Sequence, residues 1–275
     1  MAFVDLGGLR CHVQRLGPQD AGPPAATVVL LHGLLTDSLA SYYFTLAPAL
    51  AAAGAEVLMY DQRGHGRSER PPTGYRLEHF VDDLEALLDR LELTGPLQLL
   101  GNSFGGTVAF ALAARRPAQV AAILAIESEP ATAAWAVKLD DILRRAETEL
   151  VKKSTLAWVA AKRGPHTARL ARSAGRLLAE TALAREIPAS RLPGEAELRA
   201  IGCPVLTVYG TRSDLAAQAA WLDGLLPDCR SVFVPGQEHS VLVEAPDVVR
   251  ELALSWLREQ GAELRGRPAV LGAAR

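Results

Sequence analysis

The sequence predicts an α/β fold with a mostly parallel central sheet flanked by helices. Three observations carry that expectation. Short, continuous apolar runs recur along the chain as TVVLLHG, AEVLMYD, LQLLGNS, AAILAIES, PVLTVYG and RSVFVPG. Strands buried on both faces read this way, whereas half-exposed strands alternate. Segments with helical spacing lie between the runs, so successive strands pair in parallel through right-handed crossovers. One stretch, between residues 128 and 204, holds no strand-like run and interrupts the alternation once.

In chain order, two short strands are expected around Phe3–Asp5 and Leu9–Leu16, followed by a Gly/Pro-rich surface turn, GPQDAGPPAA. Leu39–Ala53 reads as the helix after the first central strand, stopped by Gly54, and Leu77–Leu91 as the next. In the latter, Phe80, Leu84, Leu87, Leu88 and Leu91 recur at three- and four-residue steps. Gly105–Arg115 follows the third run, and Pro117 ends it. In the long interruption, Trp135, Leu139, Ile142, Ala146 and Leu150 fall on one helical face. Arg163-Gly164-Pro165 breaks that pattern, and Leu170, Ala174, Leu177 and Leu178 begin another. Because the insertion leaves a strand's C-terminal end, where open α/β sheets bind ligands, it is expected to form a lid. Pro246–Glu259 reads as the last helix. The expected organisation is a core of residues 1–129 and 199–260, a helical cap at 130–198 and a flexible tail at 261–275.

Composition limits the setting. An apolar fraction of 49% suits one large core, and a net charge of -2 gives no general reason to expect a nucleic-acid partner. Arg144, Arg145, Lys152, Lys153, Lys162 and Arg163 cluster in sequence, but with Asp140, Asp141, Glu147 and Glu149 among them they read as a solvated helix face. Cys11, Cys203 and Cys229 form neither a metal-ligand spacing nor a disulfide framework, and Cys203 reads as a small buried residue. No run approaches the ~18 apolar residues of a membrane span, and the start of the chain lacks a signal-peptide pattern. A cytoplasmic protein without a membrane partner is the expectation; the sequence leaves the oligomeric state open.

The chemistry is concentrated in LLGNSFGGTVAF, residues 99–110. A serine between a hydrophobic strand and a helix, with Gly101 and Gly105 two positions to either side, has the pattern of a nucleophile elbow. Ser103 then needs a base, because a neutral hydroxyl is a poor nucleophile. Of the six histidines, His239 sits in the loop between the last strand and the C-terminal helix, where it can reach over the elbow. His12 and His79 read as surface or packing residues, and His166 belongs to the lid. The acid that orients the base is expected to be Asp214, just past PVLTVYG, with Glu127 and Glu129 as rivals after AAILAI. Oxyanion donors are expected at the N–H groups of Phe104 and Leu34. His32 is expected to brace its loop, and DQRGHGRS at 61–68 reads as a structural turn in which Asp61 or Arg63 pairs locally. Substrate contacts are assigned to His32, Gly33, Tyr42, Tyr43, Trp135, Leu139 and Trp158.

Taken in this order and at these spacings, LLHG, YDQRGHGRS, GNSFGG, YGTRSD and GQEHS resemble the α/β-hydrolase superfamily over residues 1–260. The resemblance implies the α/β-hydrolase fold, a helical cap after the sixth strand, and a Ser–His–acid triad working without metal or cofactor. Family members that are haloalkane dehalogenases or epoxide hydrolases carry Asp at the elbow, so Ser103 argues against both. The leading expectation is hydrolysis of a carboxylic ester, lactone or thioester of a small molecule through an acyl-serine. Acyl-CoA or carrier-protein-bound acyl groups are the second candidate substrates, for a thioesterase or acyltransferase. A carbon–carbon bond hydrolase ranks third. GNSFGG is similar to the elbow of meta-cleavage-product hydrolases, but HGLLTDSLA replaces their Gly-Pro-Gly loop and Ser240 their usual tryptophan. A ligand sensor on the same fold is the non-enzymatic alternative.

Overall fold

The computed structural model describes residues 2–18 and 24–266. Its eight strands are β1 (Ala2–Asp5), β2 (Arg10–Leu16), β3 (Ala26–Leu31), β4 (Ala55–Tyr60), β5 (Leu97–Asn102), β6 (Val120–Ile126), β7 (Val205–Gly210) and β8 (Cys229–Val234). They form one sheet in the order β1-β2-β4-β3-β5-β6-β7-β8. The pairs β1–β2 and β2–β4 are antiparallel, and every pair from β4 onward is parallel.

The helices are α1 (Ala40–Tyr43), α2 (Ala47–Ala52), α3 (Leu77–Arg90), α4 (Phe104–Arg115), α5 (Ala133–Glu149), α6 (Lys153–Glu180), α7 (Leu183–Glu186), α8 (Glu195–Arg199), α9 (Gln218–Leu225), α10 (Val241–Glu244) and α11 (Pro246–Gly266). Successive side chains of a strand point to opposite faces, and the core divides accordingly. Val29, Leu31, Leu99, Ile123 and Ala125 pack with α3 and α4. Val28, Leu30, Leu100, Leu124 and Ile126 pack with α2 and α11 on the other face. Both faces are covered, which is why these strands read as unbroken apolar runs.

Some expectations shift in detail. The single helix expected over Leu39–Ala53 is two short ones, separated at Phe44–Leu46. Between β6 and β7 every regular element is helical, and α6 is kinked at Gly164, whose φ is 85°. The last helix continues to Gly266, so the first part of the expected tail is helical instead; residues 267–275 lie outside the described residues, as do 19–23 of the Gly/Pro turn. Cys203 is only partly buried, but burial still pushes its thiol up to about 11. The basic cluster is largely paired: Arg144 with Asp140, Arg145 with Asp141, Lys152 with Glu149 and Arg163 with Glu244. No helix among the described residues is long and apolar enough to cross a membrane.

The 61–68 turn is a buried polar hub. Asp61 accepts from the backbone of Leu39 and Arg67 and faces His12 Nδ1 at 2.7 Å. Arg63 reaches further than a local partner and grips Asp83 on α3 through two 2.6 Å bonds. His65 Nε2 accepts from the Leu35 N–H at 2.9 Å, so this turn holds the loop after β3 in place.

Candidate active site

Ser103 stands between β5 and α4 with φ 52° and ψ −121°, a conformation that costs a residue with a Cβ about 1–3 kcal/mol. Surrounding structure holds it there. Its N–H donates to the Ile126 carbonyl at 2.8 Å, and Ser128 Oγ donates to its carbonyl at 2.6 Å. The flanking glycines serve close approach: a Cβ on Gly105 would collide with the Leu31 carbonyl at the end of β3, and one on Gly101 with the backbone of Gly106. Strand β3, strand β5 and helix α4 therefore meet with no side chain between them, and the serine projects outward.

His239, in the loop between β8 and α10, places Nε2 3.1 Å from Ser103 Oγ. Its other ring nitrogen, Nδ1, lies 3.3 Å from Oε2 of Glu127. Glu127 directly follows β6, is fully buried, and adopts φ 48°. Its carboxylate is well supplied with donors. Ser213 Oγ donates to Oε2 at 2.5 Å, and the Gly210 N–H at the end of β7 donates to Oε1. Expectation and structure part here: the carboxylate facing the imidazole is Glu127, not Asp214. Asp214 is exposed and opens a 3-10 turn, Asp214–Ala217. The residue that β7's loop turns toward the imidazole's partner is its neighbour, Ser213, which acts as donor. Glu129, the other rival, is buried but pairs with Lys138 of α5.

Two backbone donors border the serine. Phe104 is the first residue of α4, so its N–H has no acceptor within the helix. In the turn after β3, the Gly33 N–H is taken by Asp37 Oδ2 at 2.7 Å and the Leu35 N–H by His65. Among the described residues the Leu34 N–H between them has no hydrogen-bond acceptor. Leu35 has φ 64°, and its N–H bond to His65 fixes that turn. Burial, reinforced by the neighbouring His32 imidazole, pushes His65 down to about 3, so it accepts as the neutral ring.

A cavity of about 380 Å³ opens over these groups. Ser103, His239, Glu127, Leu34 and Phe104 line it with Trp135, Lys138, Leu139, Ile142 and Leu143 of α5, and with Thr107, Glu129, Asp214 and Leu215. The Trp135 ring stacks on Phe104 at 6.4 Å between centroids. Helix α5 of the inserted segment thus supplies one wall of the pocket.

A family model described as the alpha/beta hydrolase fold matches residues 26–150. The chain is 29% identical over 264 residues to a 2-(acetamidomethylene)succinate hydrolase from Mesorhizobium japonicum, covering 89% of this chain and 90% of that one. A proline iminopeptidase from Heyndrickxia coagulans is 34% identical, over 44% of this chain and 41% of its own length. The solved enol-lactonase from Burkholderia xenovorans superposes with a TM-score of 0.73 at 22% identity, covering 94% of this chain and 100% of that one. The chain has the α/β-hydrolase fold. The mostly parallel sheet flanked by helices and the helical segment after β6 are what the sequence resemblance implied.

Not every expected contact of this hydrolase lies at the pocket. Trp135 and Leu139 do. His32 is fully buried as a brace, with Nδ1 2.7 Å from the Gly33 carbonyl and Nε2 accepting from the Gln62 N–H at 2.9 Å, so it does not contact substrate space. Gly33 lies behind the serine and spends its N–H on Asp37. Tyr42 is buried and donates to the Leu31 carbonyl at 2.9 Å. Tyr43 packs edge-on against Phe44, which is 81% exposed, at the surface. Trp158, also outside the cavity, is 59% exposed on α6. These aromatic assignments failed because α1 and the first half of α6 turn them away from the cavity. Lys138, Glu129 and Thr107 were missed as lining residues; polar side chains scattered through an amphipathic cap carry no periodic signal.

Proposed function

We propose that this α/β hydrolase cleaves a carboxylic ester, lactone or thioester of a small molecule through an acyl-Ser103 intermediate. The observation that carries the reading is one imidazole bridging a serine hydroxyl and a buried carboxylate, Ser103 to His239 to Glu127. His239 Nε2 takes the hydroxyl proton as Ser103 Oγ attacks the carbonyl carbon. Glu127 holds the ring by its Nδ1–H and stabilises the imidazolium. The Leu34 and Phe104 N–H groups receive the tetrahedral oxyanion, each such donor being worth about 2.7–4 kcal/mol of barrier. The imidazolium then protonates the leaving alkoxide or thiolate. A water, deprotonated by the same imidazole, releases the acid and restores the serine.

A second reading rests on the Mesorhizobium relative, whose named substrate bears an acetamido group. The same steps would free acetate from such an N-acyl group. A fluorophosphonate probe labels the wild type and not Ser103→Ala if the serine is the nucleophile. A panel of p-nitrophenyl esters, lactones, acyl-CoAs, a ring-cleavage dienone and an N-acetyl enamine then separates the chemistries. Ester and lactone turnover supports the first reading; turnover of the enamine or the dienone alone overturns it.

A further inference from the structure

The cavity wall carries an ion pair that the proposed chemistry does not use. Glu129 lies two residues beyond Glu127 and is buried, and its Oε1 pairs with Lys138 Nζ from α5. Thr107 Oγ1 donates to the Glu129 carbonyl at 2.8 Å, fixing this stretch against α4. All three residues line the same cavity as Ser103. Among the described residues the ionisable lining is three carboxylates, Glu127, Glu129 and Asp214, against one lysine and the imidazole. With His239 neutral, the wall is net anionic, and the single cation already has a carboxylate partner.

We infer that the Glu129–Lys138 pair sets the charge selectivity of this cleft, admitting neutral or cationic acyl groups and rejecting those bearing a carboxylate. Glu129 occupies Lys138, so an incoming carboxylate must displace it. Displacement leaves a buried carboxylate without its cation, which is costly. Of the two remaining acids, Glu127 is fully buried and repels an anion with little screening by salt, while the exposed Asp214 adds a weaker repulsion at the edge. The inference deepens the hydrolase reading and rests on it. It also separates this chain from the Mesorhizobium relative, whose named substrate is a substituted succinate.

The experiment compares kcat/KM for three p-nitrophenyl esters of similar acyl size: butyrate, hemisuccinate and 4-aminobutyrate, each corrected for spontaneous hydrolysis. In the wild type the hemisuccinate falls about tenfold or more below the butyrate, mainly through KM. Glu129→Gln frees Lys138 without changing side-chain shape, and the hemisuccinate-to-butyrate ratio rises about tenfold or more. Adding Lys138→Met to that variant abolishes the rise. Ratios within each variant cancel general losses in folding or turnover. A wild type that takes the hemisuccinate as well as the butyrate overturns the inference, and so does a ratio unmoved by Glu129→Gln. Calorimetric affinities of the ethyl esters for Ser103→Ala read the same preference without any turnover. Failure of all esters to react would therefore count against the hydrolase reading alone.

Discussion

His239 Nδ1 and Glu127 Oε2 lie 3.3 Å apart, and the glutamate is fully buried while the histidine side chain is 52% exposed. In the proposed mechanism this buried carboxylate fixes the tautomer of a half-exposed ring. The acid in that mechanism therefore comes from the end of β6, the strand next to the elbow strand, rather than from β7. Glu127→Gln is expected to lower kcat by on the order of a thousandfold, because an amide can present the wrong polarity to Nδ1. Asp214→Asn is expected to stay within a few-fold of wild type. Equal losses in the two variants would return the acid's role to β7.

Two donors at the end of β7, the Gly210 N–H and Ser213 Oγ, serve the buried Glu127 carboxylate. Ser213→Ala removes one of them, the 2.5 Å bond to Oε2. A hydrogen bond to a charged group contributes about 1.5–3 kcal/mol, so a comparable loss of stability should appear in denaturant unfolding. Because the same oxygen faces His239, kcat should also fall about tenfold with KM little changed. A variant that unfolds like wild type and turns over normally would show that Ser213 merely fills space.

Much of this arrangement was legible beforehand. Ser103 and His239 stand in turns whose neighbours are diagnostic, GNSFGG and GQEHS, and the fold places both. Glu127 was harder. It ends a wholly apolar run, AAILAIE, and the only cue is a charge where the strand pattern is otherwise unbroken. The segment GTRSD offers a carboxylate in the more familiar place. Whether Ser213 or Asp214 turns toward the Glu127 carboxylate depends on one residue of phase in a loop that leaves Gly210, itself packed close against the Gln237 backbone. The pocket wall was least legible, since an amphipathic cap helix shows which side chains are apolar and not which face meets the cavity.

The close approach at the elbow predicts intolerance rather than altered chemistry. Gly105→Ala should destabilise by the upper end of the about 1–3 kcal/mol typical of overpacking, or more, since the new methyl meets the backbone of β3 and not a side chain that can move. Thermal unfolding of the purified variant measures this. A melting temperature equal to wild type would mean that α4 can retreat from β3.

His65 predicts a pH dependence of stability. Its imidazole is held at about 3 in the fold, against 6.5 when unperturbed, with burial as the main cause. Between those values the unfolded chain takes up a proton that the folded chain refuses. The stabilisation by the neutral ring is therefore complete above about 6.5 and declines as pH falls toward 3. His65→Gln keeps an acceptor for the Leu35 N–H but cannot titrate. The gap in melting temperature between wild type and this variant should be widest near neutral pH and shrink by about pH 5. Parallel curves over that range would mean that the ring is protonated in the fold.

Leu139 faces the cavity from α5, one turn beyond Trp135. Trp135 stacks on the residue that follows the nucleophile, so shortening it would disturb the elbow itself. Leu139 is only half-buried and does not stack on the elbow, which makes it the cleaner probe of pocket size. Leu139→Ala removes three carbons from the wall, and acyl chains longer by about two methylenes should then fit. Each buried methylene contributes about 0.8 kcal/mol, or roughly fourfold in kcat/KM. The preferred p-nitrophenyl ester should accordingly lengthen by about two carbons and gain about fifteenfold over its wild-type value, while acetate changes little. A chain-length profile that keeps its wild-type shape would mean that the acyl group lies away from α5, and that the cap borders the leaving group instead.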